Sequence, residues 1–309
     1  MNQGAAATEV AGGPAAGAAG GGSAYLRSIE AARDMLRARL PFAPEVGLIL
    51  GTGLGQVASA MSDATAIPYA EIPGFPRTAV EGHAGELVVG TLGGRPAAVL
   101  SGRAHFYEGH GMKAVTFPVR VLRALGAHTL IVNNAAGGMH PLHEPGDIVL
   151  VVDHINLMGD NPLIGPNEDA LGPRFPDMSE PYDRALAALA KRVALEERIP
   201  LRDGVFVGVA GPNLETRAEY RFLRAAGADV VGMSLVPETI VAVHGGMRVL
   251  AFAVVTDVCF PDALEPADVA KIIATATRTE PVLTRLVTRI VERLAEAGPP
   301  GPAAAAERA

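Results

Sequence analysis

Short, continuous apolar runs recur between Val46 and Thr256, with helical periodicity separating several of them, and few architectures accommodate that alternation. The runs at 46–50, 87–92, 96–101, 129–133, 147–152, 204–209, 229–233 and 249–256 read as strands apolar on both faces, as in a sheet covered by helices. Helical spacing begins with Leu26, Ile29, Ala32, Met35 and Leu36. It returns at 113–125, 184–197, 215–226, 237–244 and about 267–297, the last interrupted by Pro281. The expected fold is α/β, a single domain with a twisted mixed β-sheet surrounded by helices. No repeat and no linker-like break falls within 23–297, so that span is expected to form one unit.

The two ends differ from this core. Residues 1–22 are almost entirely Ala and Gly, and 298–309 repeat the bias, so both are expected to be disordered tails. The first stretch has neither a basic n-region nor a leucine-rich h-region, and no uncharged apolar run reaches membrane-spanning length. Cys259 is the single cysteine, which excludes an internal disulfide and fits a reducing compartment; a cytoplasmic protein is expected. A formal net charge of -7 gives no broad footprint for nucleic acid or anionic membrane, so any anion site must be local.

Several segments carry polar or glycine residues where strands end. The first strand runs into Gly51-Thr52-Gly53-Leu54-Gly55, whose backbone N–H groups and Thr52 hydroxyl suit a phosphate oxygen, although a plain strand-to-helix turn reads the same. Gln56 stands where a dinucleotide fingerprint needs glycine. Gly82-His83-Ala84-Gly85 and Ser101-Gly102-Arg103-Ala104-His105 follow. On an extended chain Arg103 and His105 point the same way, an arrangement that fits an anion cradle or a solvated polar loop. Asn133-Asn134-Ala135-Ala136-Gly137-Gly138 ends a strand with small residues that allow close ligand approach. Gly211-Pro212-Asn213-Leu214-Glu215-Thr216 places a carboxylate near a helix start, where it either reads a ligand or caps the helix. Gly232-Met233-Ser234 ends another strand, and Glu238 beyond it reads as a helix-start acid.

Together with Gly102-Arg103-x-His105-x-Tyr107-Glu108-Gly109 and Asp153-His154-Ile155-Asn156-Leu157, these segments resemble, in order and spacing over about residues 25–257, the trimeric purine nucleoside phosphorylases. The resemblance implies a phosphorylase-type α/β domain, a homotrimer with active sites near subunit interfaces, and inorganic phosphate as co-substrate with no cofactor and no metal. By it, Thr52, His83, Arg103, His105, the Ala135 backbone and Ser234 bind phosphate. Tyr107, Asn134 and Met233 line the nucleoside, Glu215 accepts from purine N1–H, and His105, Glu215 and Asp257 are the catalytic candidates. An anion held beneath the sugar stabilises the positive charge that builds on ribose as the base departs.

Four positions depart from the family pattern. Asp257 stands where 6-oxopurine enzymes carry Asn and 5′-methylthioadenosine phosphorylases carry Asp. Val269 falls near the histidine expected for the ribose 5′-hydroxyl, Phe206 where a sugar-binding tyrosine is common, and Leu214 where a base-stacking phenylalanine is common. Phosphorolysis of purine (deoxy)ribonucleosides in salvage is expected, with 6-oxopurines such as inosine and guanosine as substrates. Phosphorolysis of 5′-methylthioadenosine or 5′-methylthioinosine is the alternative, and a non-catalytic nucleoside-binding protein is a more distant one.

Overall fold

The computed structural model describes residues 22–51, 55–77 and 84–299. The expectations for residues 1–21 and 300–309, and for Thr52 and His83, lie outside the described residues. Among the described residues, nine strands form one sheet: β1 (Val46–Leu50), β2 (Ser62–Pro68), β3 (Glu86–Leu92), β4 (Arg95–Ser101), β5 (Thr129–Gly138), β6 (Ile148–Leu157), β7 (Leu201–Val209), β8 (Val230–Gly232) and β9 (Arg248–Val258). Their order is β2-β3-β4-β1-β5-β8-β7-β6-β9, and β9 also pairs in parallel with β5. The strands from β5 to β9 therefore close on themselves, while β2, β3, β4 and β1 extend from them as an open, mixed wing.

The helices are α1 (Ala24–Arg39), α2 (Gln56–Ser59), α3 (Met112–Val115), α4 (Phe117–Leu125), α5 (Arg184–Glu196), α6 (Arg217–Ala225), α7 (Val236–His244) and α8 (Val269–Glu292). Apolar residues of α1, α4 and α7 share one core with Ile49 and Val132, and those of α5 and α8 share the other with Leu48 and Leu50. Alternate residues of β1 thus enter opposite cores, which is why its sequence is apolar throughout. Gly47 has no room for more: a Cβ there would lie 2.9 Å from Leu122.

The sequence reading and the structure part at four places. β2 is an edge strand with a single buried residue, so it has no apolar run to betray it. The helix expected over 113–125 divides at Thr116, whose hydroxyl back-bonds to Met112 O at 2.8 Å, just before the Pro118 that opens α4. α6 starts two residues after Glu215, because Thr216 and Glu219 form its capping box. Pro281 does not interrupt α8. Its missing N–H exposes only the carbonyl of Thr277, on the solvent side, while burial of Thr279, Leu283 and Leu286 holds the helix in place. No described helix is long and apolar enough to cross a membrane.

Candidate active site

β4, β1, β5 and β9 run parallel, so their carboxyl ends meet on one side of the sheet, the usual position for ligands in α/β proteins. A cavity of about 180 Å³ opens there. Gly51 forms part of its wall at the end of β1, and a Cβ on it would come within 2.9 Å of Asn134 Cα, so only glycine lets β1 approach β5 so closely.

Arg103 enters from the end of β4. Its guanidinium pairs with Glu238 at 3.2 Å and donates to the carbonyl of Asn133 on β5, and the two paired side chains are 4% and 3% exposed. Burial pushes Arg103 below the ordinary arginine range, and the carboxylate of Glu238 opposes that shift. Glu238 is therefore more than an acid at a helix start, the reading given to it from sequence. It sits in the first turn of α7, and the fold carries it across to the arginine. What linked them was invisible along the chain, since 135 residues separate the pair.

His105 is fixed by Glu108: the carboxylate accepts from the His105 backbone N–H at 2.7 Å and lies 3.2 Å from ring Nδ1, which fits the Nδ1–H tautomer. The imidazole stacks on Tyr107 at 4.8 Å between centroids. Ser234 is presented to the same cavity by an unusual turn. Leu235 adopts φ 71°, ψ -50°, and Val236 N donates to Ser234 O at 2.8 Å, a γ-turn of the rarer, positive-φ hand. Such strain is held in place where surrounding packing is complete, and Leu235 is wholly buried.

Two carboxylates also line the cavity. Glu215, freed from the capping role by Thr216, is half-buried. Burial raises its pKa, the neighbouring Tyr220 hydroxyl opposes the rise, and the charges of Glu219 and Asp257 add to it. Asp257, near the end of β9, accepts from the Thr256 hydroxyl at 2.8 Å and from the Cys259 thiol at 3.3 Å. Burial, reinforced by Asp257, pushes the Cys259 thiol up to about 12, so it stays protonated and acts as a donor.

Of the residues singled out in the sequence, Arg103, His105, Tyr107, Asn134, Ala135, Leu214, Glu215, Met233, Ser234 and Asp257 all line this cavity. Two do not. Phe206 is fully buried behind Gly232, where a Cβ would lie 2.8 Å from its ring, so it supports the wall without facing the ligand space. Val269 is 65% exposed at the start of α8, and Ile272, one turn further along the same helix, lines the cavity instead. Tyr220, Cys259 and Ile272 were missed. For Cys259 a signal was present, since it lies two residues from Asp257 on an extended chain. Tyr220 lies within the helical span and carried no signal of its own in the sequence. Among the described residues no group of three or more His, Cys, Asp and Glu side chains is placed to hold a metal ion.

Residues 45–292 match the model of the phosphorylase superfamily. Purine nucleoside phosphorylase 1 of Geobacillus stearothermophilus is 48% identical over 87% of this chain and 98% of its own. The crystal structure of a Schistosoma purine nucleoside phosphorylase with hypoxanthine superposes with a TM-score of 0.83 at 39% identity, covering 87% of this chain and 98% of the other. A Schistosoma mansoni purine nucleoside phosphorylase in complex with adenosine gives the same TM-score, identity and coverage. Within the phosphorylase superfamily, this chain belongs to the purine nucleoside phosphorylases, a family of pentosyltransferase enzymes.

Proposed function

We propose that the protein cleaves purine ribonucleosides and deoxyribonucleosides with inorganic phosphate, releasing free base and pentose 1-phosphate for purine salvage, with 6-oxopurines as its main substrates. One observation carries this reading: a buried arginine and a backed histidine line the same cavity as a half-buried glutamate. Phosphate requires the first kind of surface and a purine N1–H edge the second. In this assignment Arg103, His105, Ser234 and the Ala135 backbone hold phosphate, with Thr52 and His83 joining them. Tyr107, Asn134 and Met233 contact the sugar, and Leu214, Glu215 and Asp257 contact the base.

The anion beneath C1′ stabilises positive charge on the sugar while the base leaves, and Glu215 orients that base by accepting from N1–H. Phosphate is the only co-reactant needed, with no cofactor and no metal. A homotrimer is supported by the exposed apolar groove in which Phe175, 86% exposed, adjoins Ile164 and Leu163. The catalytic unit spans residues 23–297, and a cytoplasmic site of action fits the single thiol.

A second reading, phosphorolysis of 5′-methylthio purine nucleosides, is favoured by the Asp257 carboxylate and the apolar Ile272 in the cavity wall. The test is release of free base from inosine, guanosine, adenosine and 5′-methylthioadenosine, side by side, with and without phosphate. Fast phosphate-dependent turnover of inosine and guanosine is expected. Preferred turnover of methylthioadenosine selects the second reading, and base release that ignores phosphate overturns both.

A further inference from the structure

Apart from the candidate active site, a cavity of about 400 Å³ lies between α1, α4, the turn at Asp169–Leu171 and the end of α7. It shares no lining residue with the candidate active site. Leu26, Ile29, Glu30 and Arg33 follow one another at helical spacing down the face that α1 turns to it, and α4 answers with Val119, Arg120 and Arg123. A seam between packed helices is ordinarily apolar. This one holds three arginines against one glutamate.

Arg120 is the most buried of these charges, at 6% exposed. One Nη donates to Leu171 O at 3.2 Å and to His244 Nδ1 at 2.8 Å. Burial, reinforced by the charge of Arg120, holds the His244 imidazole down to about 4, so the ring is neutral and accepts. The histidine therefore gives Arg120 no countercharge. Among the described residues no carboxylate pairs with Arg120, and its Nε has no hydrogen-bond partner. A buried cation left in this state is costly, and an anion in the cavity relieves it. The other two arginines are anchored beside it: Arg123 Nε donates to Gly245 O at 2.8 Å, and Arg33 Nε pairs with the exposed Asp34 at 2.7 Å.

We propose that this cavity binds a small phosphate monoester with an apolar body, held by Arg120, Arg123 and Arg33. Such an ester carries close to two negative charges at neutral pH, which matches the excess of arginine over glutamate in the lining, and guanidinium forks suit its paired oxygens. Ile29, Val119, Leu171 and Val241 supply apolar wall for the rest of the molecule. A carboxylate brings half the charge, and inorganic phosphate leaves that wall uncovered. Binding here stands or falls apart from the reaction assigned to the other cavity.

Calorimetric titration of the full chain with phenyl phosphate, and with benzoate in parallel, tests this. Wild type is expected to bind one more molecule of phenyl phosphate per chain than the double variant Arg33→Gln/Arg123→Gln, whatever the candidate active site itself takes up. Arg123→Gln alone should weaken that extra site about 10- to 100-fold, the scale of one hydrogen bond to a charged group. Glu30→Gln removes the opposing charge, and should tighten the site about 3- to 10-fold. Benzoate should bind it about 10-fold more weakly than phenyl phosphate, because it offers less charge and fewer oxygens.

Equal stoichiometry in wild type and the double variant overturns the proposal, and so does an affinity that Glu30→Gln leaves unchanged or lowers. Benzoate bound as tightly as phenyl phosphate overturns the assignment to a phosphate monoester. If the double variant does not fold, Glu30→Gln, which leaves every arginine in place, decides by itself.

Discussion

The two ends of the proposed site, one assigned to phosphate and the other to the base, are built by different means. At the anion end Arg103 comes from a strand terminus, is almost wholly buried, and is braced by a carboxylate from α7 and a carbonyl from β5. At the base end the side chains come from the loop before α6 and the end of β9. Leu214 there is 45% exposed, and Glu215 is half-buried. The first end is over-determined by the core beneath it, so little can vary without unfolding. The second is held by short-range hydrogen bonds among a few side chains, and substitutions are tolerated there at low structural cost. On the proposed function, reaction class belongs to the braced end and substrate choice to the other, which is also where the sequence departs from the family pattern at Leu214 and Asp257.

The largest effect should come from breaking the braced end. Arg103→Ala is expected to lower kcat/KM for phosphate on the order of 100- to 1000-fold, the cost of losing a preorganised donor to an oxyanion, while nucleoside binding falls far less. It should also destabilise the fold by about 3–5 kcal/mol in urea unfolding, because Glu238 is left buried without its countercharge. Equal losses in phosphate and nucleoside affinity, with stability unchanged, would remove the distinction between the two ends.

Glu215→Gln should act at the base end alone. Inosine turnover is expected to fall about 10- to 1000-fold, since an acceptor for N1–H becomes a mixed donor and acceptor, while the KM for phosphate stays near its original value. Burial raises the Glu215 carboxyl, so the wild-type acid limb should lie at higher pH than for an ordinary carboxylate. The stability consequence has the opposite sign. A carboxyl whose pKa is higher folded than unfolded favours the fold fully at low pH, and that contribution is lost as pH rises through the folded value. The Gln variant should therefore be more stable than wild type at neutral pH and lose that advantage in acid, which thermal melts at several pH values would show. A variant that is less stable at neutral pH and turns over inosine normally would place Glu215 outside the base site.

The same division explains what the sequence disclosed. Strand ends were legible because apolar runs stop at glycines and polar residues, and Arg103, His105, Asn134 and Ser234 all fall at such stops. Partners across the fold were not. Glu238 lies in an apolar helix with the look of a routine first-turn acid, and nothing along the chain connects it to Arg103. Val269 was assigned to the site because it falls near the histidine position of the family pattern, but the helical phase of α8 decides which residue turns inward, and three residues of difference gives the place to Ile272. β2 escaped notice for a related reason: an exposed edge strand needs no apolar pattern.

The smallest predicted change is the most discriminating for the base end. Asp257 both lines the cavity and anchors its own loop, since its two oxygens accept from Thr256 and Cys259. As a carboxylate it accepts from a 6-amino group and repels the negative charge that builds on a departing 6-oxopurine. Asp257→Asn keeps one acceptor for the Thr256 hydroxyl and turns a donor toward the base. The ratio of kcat/KM for inosine over adenosine should rise about 10-fold, the worth of one hydrogen bond gained on one substrate and lost on the other, and any carboxyl-dependent limb in the inosine pH profile should flatten. The amide now faces the Cys259 thiol, which must turn to accept, so a modest loss of thermal stability is expected alongside. A drop in stability with an unchanged ratio would reduce Asp257 to an anchor and leave substrate choice to Glu215 and Leu214.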